Sequence, residues 1–406
     1  MIRSLFFLVL CLAWHKSHAQ VEIDPSEWSV ETYYPGGRID DGAAFQLNGH
    51  LYMGTGIDQS YQLRNDWWRY DLATKAWSPV STLPGKGRQY ATAFSSDRFG
   101  YLMGGILMGD SFTNACFRYD ALRDQWNSLA QPPWSPRGAM AKFKVGNTLY
   151  LFGGRDGTEH FLDVWAFDLK TENWSHEGEL PFEMGRDEMI AFGCSQYGYL
   201  LMGRSSTESY SDMWRYDIIH RVWKRLPDFP GNAVSYASAV RARSGAVVAG
   251  GQDEQGYLLS ECFYFDCGEE KFEALPNLAV GEVRGMDLAS IGDSVYSFGG
   301  LTHNFTRLDQ VQLLELNGTE EFDQVPEVKL IGHPARSEVR LIWDLGAHYT
   351  IHYRLFTTQG LFVTSGRLPA PAGYSVIGLE EVNPGIYLLS LTANGTTVVE
   401  KLVVAN

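Results

Sequence analysis

The sequence predicts an all-β chain: a six-bladed β-propeller over residues 20–326 and a small antiparallel β-sandwich over residues 327–406. Three observations carry this. Paired glycines or their relics recur about every 49 residues, at Gly54/Gly56, Gly104–Gly105, Gly153–Gly154, Gly203, Gly250–Gly251 and Gly299–Gly300. An aromatic–acidic step follows (Tyr70–Asp71, Tyr119–Asp120, Phe167–Asp168, Tyr216–Asp217, Phe265–Asp266), then a Trp or its substitute (Trp77, Trp126, Trp174, Trp223, Phe272). After Pro326 these markers stop. A repeat near 50 residues with four short strands per unit is a propeller signature.

The third repeat reads most cleanly as a blade. Ala139–Val145 alternates as a strand, Gly146–Asn147 turns, and Thr148–Phe152 returns to Gly153–Gly154. Asp163–Asp168 and a segment around Trp174 complete four strands as two hairpins. The glycines let backbones crowd where a Cβ would intrude, and the aromatics fill the wedge between blades. In the diglycine, the aromatic–Asp step and the spaced Trp, residues 28–320 resemble the Kelch family, whose repeats form β-propellers. The sixth repeat lacks its Trp, and Trp28 lies 49 residues before Trp77. An N-terminal strand around Trp28 is therefore expected to complete the last blade and close the ring, with Phe322 as a rival.

Residues 1–19 read as a secretory signal peptide: Arg3, an apolar run from Leu5 to Trp14, then the small-residue site Ser17–Ala19. No transmembrane segment is expected. The formal net charge of −15 becomes −17 once Arg3 and Lys16 leave with the leader. Residues 327–406 carry equal numbers of acids and bases, so the surplus sits on the propeller. Such a surface excludes nucleic acid and anionic membrane as partners. Cys116, Cys194, Cys262 and Cys267 show no dense framework spacing and are expected to be buried free thiols.

Short strands with turns at Gln359–Gly360, Pro384–Gly385 and Asn394–Gly395 make the last unit an immunoglobulin-like sandwich. Leu355–Val363, Pro384–Leu389 and Lys401–Val404 resemble the C-terminal sorting domain of the bacterial type IX secretion system, although Gly332–Ala335 replaces the usual Pro-Asn-Pro opening. That resemblance implies an address read by the outer-membrane export machinery. It also implies a secreted or surface-attached product that has crossed both membranes. A plain accessory sandwich is the alternative.

The candidate site is another periodic feature. Arg38, Arg88, Arg137 and Arg186 lie 50, 49 and 49 residues apart, and Arg284 follows Arg186 by 98, with Ser235 between. Each precedes the first strand of a blade, so these arginines are expected to ring one mouth of the channel. The loops after each diglycine add Tyr61, Phe112, Phe161, Tyr210, Tyr257 and Phe305. Such a mouth suits a carboxylate or phosphate on a glycan, peptide or protein. Alternatively, the arginines pair with Asp41, Asp187, Glu188 or Asp287, and the aromatics plug gaps between blades.

No Gly-x-Ser-x-Gly elbow, phosphate loop or His-Glu-x-x-His motif occurs in the sequence. The eight histidines after residue 19 lack metal-ligand spacing, so neither metal nor cofactor is expected. Two function classes remain. One is an exported binding module. The other is an enzyme resembling the sialic-acid mutarotases, which are similar to six-bladed Kelch proteins and bind a carboxylated sugar among Arg and an acid. In that second class Glu188 is the acid/base.

Overall fold

A computed structural model of the chain describes residues 24–317, 329–331, 334–342, 351–368, 374–393 and 396–405. The expected leader, Phe322 and the Asn394–Gly395 turn lie outside the described residues.

Each of the first five repeats folds into one antiparallel four-stranded sheet, and the sixth supplies three strands, Asp287–Ile291, Ser294–Phe298 and Gln310–Asn317. The first sheet is Ala43–Leu47, His50–Gly54, Trp67–Asp71 and Ala76–Val80 in spatial order, and the third is Ala141–Val145, Thr148–Phe152, Asp163–Asp168 and Trp174–Glu179. Side chains alternate across each strand. In the first sheet Tyr52 and Trp67 therefore face the second sheet, while Leu51, Met53 and Tyr70 face the last. Phe45 fills the first wedge, 5.1 Å from Tyr52 and 5.3 Å from Trp67 between ring centroids. Trp126 of the second sheet completes it, 5.1 Å from Trp67.

One backbone hydrogen bond recurs between every pair of neighbouring sheets. The second diglycine position donates its N–H to a carbonyl just ahead of the next sheet: Gly56 to Arg88, Gly105 to Arg137, Gly154 to Arg186, Gly203 to Val234, Gly251 to Val283 and Gly300 to Ile39, all at 2.8–2.9 Å. The last of these joins the sixth sheet to the first. The second position is glycine at all six junctions. Both Gly153 and Gly154 have positive φ, and a Cβ on either would stand 2.5–2.6 Å from a neighbouring carbonyl oxygen. Where the first glycine is missing, Thr55 and Met202 hold the same left-handed backbone, at φ 60° and 64°.

Closure comes from the N-terminal segment. Ser29–Tyr33 lies antiparallel to Gln310–Asn317, the third strand of the sixth sheet, and Trp28 is buried beneath it. Glu31 on this strand accepts a hydrogen bond from the buried Tyr70 hydroxyl at 2.7 Å, and Lys75 Nζ lies 3.2 Å away. Trp77 Nε1 donates to Thr32 at 3.2 Å. The strand therefore ties the sixth sheet to the first as well as completing it.

The cysteine expectation needs correction. Cys194 and Cys267 form a disulfide that staples the fourth sheet to the fifth, while Cys116 and Cys262 are buried and free. The partners stand 73 residues apart, and only the stacking of adjacent sheets brings them together.

The C-terminal residues form two antiparallel sheets. Lys329–Ile331, Glu338–Ile342 and Tyr374–Gly378 make one, and Phe362–Leu368, Ile351–Thr357, Gly385–Ala393 and Thr396–Val404 the other. Val339, Leu341 and Ile377 of the first share a core with Leu355, Leu389 and Leu402 of the second. No described helix is long and apolar enough to cross a membrane.

Glu31→Ala leaves the Tyr70 hydroxyl buried without its acceptor, a loss of about 1–3 kcal/mol. Thermal unfolding should fall by several degrees, whereas Lys75→Ala, at an exposed ammonium, should change it little.

Candidate functional site

The residue that accepts the inter-sheet hydrogen bond sets the register for everything at the channel mouth. It is Ile39, Arg88, Arg137, Arg186, Val234 or Val283. The next residue (Asp40, Gln89, Gly138, Asp187, Ser235, Arg284) bridges to the residue after the diglycine. The one after that (Asp41, Tyr90, Ala139, Glu188, Tyr236, Gly285) is left-handed in all six repeats, with φ between 52° and 65°. Consecutive members of this last set are joined by backbone bonds at four places: Asp41 N–H to Gly285, Tyr90 to Asp41, Ala139 to Tyr90, and Gly285 to Tyr236. They form the rim of the channel.

The structure accordingly separates the five expected arginines. Arg88, Arg137 and Arg186 occupy the accepting position and are buried in the wall. Each sends Nη1 to the carbonyl of the first diglycine position 16 residues on, in Gly104, Gly153 and Met202. Arg137 and Arg186 also grip Asp163 and Asp212 with two nitrogens each, and these carboxylates accept the indole N–H of Trp165 and Trp214. Phe161 and Tyr210 cover the two guanidiniums at 3.5 Å, so these aromatics are wall fillers. Arg88 has Asn114 where the others have Asp, and burial lowers its pKa to about 10. Arg38 lies one residue outside the register, 54% exposed and 3.9 Å from Asp309.

Arg284 lies one residue on the other side, in the bridging position, and does reach the mouth. Its guanidinium lies 4.6 Å from the ring centroid of Tyr236, and Arg204 covers the same ring at 4.7 Å. Tyr236 is 6.5 Å from Tyr90 between ring centroids, and Asp41 and Arg284 are among the charges that act on Tyr90. Arg204 and Arg155, each just after a diglycine, share the fully buried Asp187 at 3.2 and 2.7 Å, with His160 at 3.5 Å. Arg307 pairs with buried Asp40 and covers Tyr61 at 4.6 Å. Phe112 lies 5.8 Å from Arg155, while Tyr257 and Phe305 stand exposed at loop tips.

Two carboxyls face this assembly without full compensation. Asp41 Oδ1 and Glu188 Oε1 are buried with no hydrogen-bond partner among the described residues, and so is Arg284 Nη1. Burial, then the neighbouring Asp40, raises Asp41 to about 7. Burial, then Asp187 and Asp41, raises Glu188 well above the carboxylate range. Burial and Glu188 also push Tyr236 up to about 12. Below the rim, Asp41, Tyr90, Glu188 and Tyr236 line a channel cavity of about 140 Å³ that continues past Lys142 and Asp287. Four guanidiniums, of Arg155, Arg204, Arg284 and Arg307, share this region with Asp40 and Asp187, and the raised pKa of Asp41 and of Glu188 reduces the negative charge that opposes them. Such a mouth suits an anion with apolar faces. No group of three or more His, Cys, Asp or Glu able to hold a metal occurs among the described residues.

Sequence reasoning reached Arg284, Glu188 and Tyr61 here, and Asp41 and Asp187 only as ion-pair partners, but not Arg155, Arg204, Arg307, Tyr90 or Tyr236. The spacing held the clue. The accepting positions run 49, 49, 49, 48 and 49 apart, so steps of 50 and 98 mark Arg38 and Arg284 as displaced.

Arg137→Ala strands Asp163 and should cost about 3–5 kcal/mol in thermal or denaturant unfolding. Arg38→Ala should cost no more than about 1 kcal/mol.

Among solved structures the chain is similar to YjhT, with a TM-score of 0.60 at 17% identity over 70% of this chain and 97% of that one. At that identity the likeness shows the fold, a propeller. No curated protein matches. The family model described as the KLHDC2/KLHL20/DRC7 Kelch-repeats domain matches residues 43–242 and 101–300, well over half of the 406 residues. With its six glycine hinges and its wall of Arg, Asp and Trp, the chain belongs to this Kelch-repeat family.

Proposed function

We propose that the protein is an exported binding module, a six-bladed Kelch propeller that takes a carboxylated sugar in the mouth formed by Arg155, Arg204, Arg284, Tyr90 and Tyr236. One observation carries the reading: Arg284 and Arg204 both lie against the Tyr236 ring, and Arg284 retains a buried nitrogen with no hydrogen-bond partner among the described residues. A carboxylate accepts from the guanidiniums, and the carboxyls of Asp41 and Glu188, when protonated, donate to hydroxyls. The leader over residues 1–19 and the resemblance of residues 327–406 to a type IX sorting domain support export. In this reading the C-terminal unit is an immunoglobulin-like sandwich that serves as the address.

A second reading rests on Asp41 and Glu188 themselves. Opening and closing a sugar hemiacetal requires one group to take the anomeric hydroxyl proton and another to protonate the ring oxygen. A carboxyl near 7 suits proton uptake, and one held protonated suits donation. A mutarotase-like activity on a sugar acid would use this pair.

Calorimetric titration of the full chain with carboxylated monosaccharides, N-acetylneuraminate first, tests the binding reading. Losing the charge-assisted bonds in Arg204→Ala/Arg284→Ala should weaken binding about 10–100-fold. Unchanged affinity in the folded variant would exclude the mouth.

Ionised Asp41 repels an anion, so affinity should fall as pH rises through about 7, and Asp41→Asn should flatten that fall. The same raised pKa makes folding less favourable as pH climbs from the ordinary Asp value of about 3.9 toward 7. Anomer exchange followed by NMR separates the second reading: Glu188→Gln should abolish catalysed exchange while binding persists.

A further inference from the structure

The six loops that follow the diglycines are not equivalent. On the second, third and fourth sheets Phe112, Phe161 and Tyr210 lie over arginines and are at most partly exposed. On the fifth, sixth and first sheets, which are consecutive around the ring, Tyr257, Phe305 and Tyr61 are 71%, 70% and 61% exposed. Phe305 and Tyr61 both sit in left-handed backbone at φ 58°, a conformation bulky residues avoid unless their surroundings impose it. The surroundings do impose it. Gln59 of the first loop donates to the Phe305 carbonyl at 3.2 Å and accepts the Arg307 N–H at 2.9 Å, locking the two loops together. Arg307 then rests on Tyr61, which places this pair next to the mouth.

Between the loops of Tyr257 and Phe305 lies a second cavity of about 430 Å³, lined by Ser260, Glu282, Thr302, His303 and Asn304 among others. Its lining mixes polar and apolar surface in about equal parts and the exposed rings of its two loops are isolated, unlike the contiguous apolar centre that a protein partner requires. The loops also offer no free strand edge to a peptide. Their tips close on themselves through bonds from Asp58 to Gln62, Asp253 to Tyr257 and Thr302 to Thr306.

We propose that the ligand is an oligosaccharide rather than a single sugar. Its acidic end sits at Arg204 and Arg284, and its neutral sugars run outward over Phe305 and Tyr257 along the groove. Isolated rings stack on the apolar faces of successive sugars while Glu282, Asn304 and Thr302 meet their hydroxyls. This rests on the mouth reading above and adds the length and direction of the ligand.

The test measures N-acetylneuraminate and 3′-sialyllactose on the full chain and on Tyr257→Ala/Phe305→Ala. Both substituted side chains are exposed loop tips, so the fold should persist. The trisaccharide should bind about 10-fold more tightly than the monosaccharide, and the double variant should remove that gain alone. Equal affinities, or a trisaccharide gain that survives the double variant, would overturn the groove and leave the mouth standing. If the wild-type chain bound neither sugar, both readings would fall together.

Discussion

The hydrogen bond from the second diglycine N–H to the next sheet's leading carbonyl is the constraint on which the rest depends. It is short, it recurs at all six junctions, and it forms only where two backbones approach without an intervening Cβ. Gly300 closes the set onto Ile39, so the first and sixth sheets meet on the same terms as any other pair. The Ser29–Tyr33 strand then removes the edge that an open sixth sheet would expose, and Glu31 and Thr32 lock it to the first sheet.

The bond also assigns roles to the polar residues around it. A side chain on the accepting residue turns into the wall, where a charge must be paired to be tolerated. Arg137 and Arg186 meet that demand with Asp163 and Asp212. Arg88 lacks an acid and is the arginine whose pKa falls. One residue further on, the chain pairs with the diglycine loop, and the next residue turns left-handed into the channel. Asp41, Tyr90, Glu188 and Tyr236 are gathered there by backbone geometry rather than by sequence proximity. Burial there, and then the neighbouring carboxylates, raises the pKa of Asp41 and of Glu188.

Repeat architecture thus separates structure from specificity. The periodic residues (glycines, the Asp–x–Trp pairs, wall arginines) do the same job in several sheets. The proposed site lies where the symmetry fails: Arg284 standing where other repeats have Asp, Gln, Gly or Ser, Asp41, Tyr90, Glu188 and Tyr236 on a rim that elsewhere carries Ala or Gly, and exposed aromatics on three consecutive loops.

The sequence by itself determined the number of repeats, the strands within each and the break after Pro326. These depend on local turn chemistry and on a periodicity that survives in one dimension. It pointed to Trp28 as the closing segment because an orphaned Trp and a missing Trp are both visible at a fixed spacing. Only the tertiary structure decided which arginines reach the channel mouth. A one-residue offset, which shows in the spacing only once the accepting residues are known, turns a guanidinium from the channel into the wall. It alone joined Cys194 to Cys267 and brought Asp41 of the first repeat and Glu188 of the fourth into one electrostatic cluster, because distance across a closed ring bears no relation to distance along the chain.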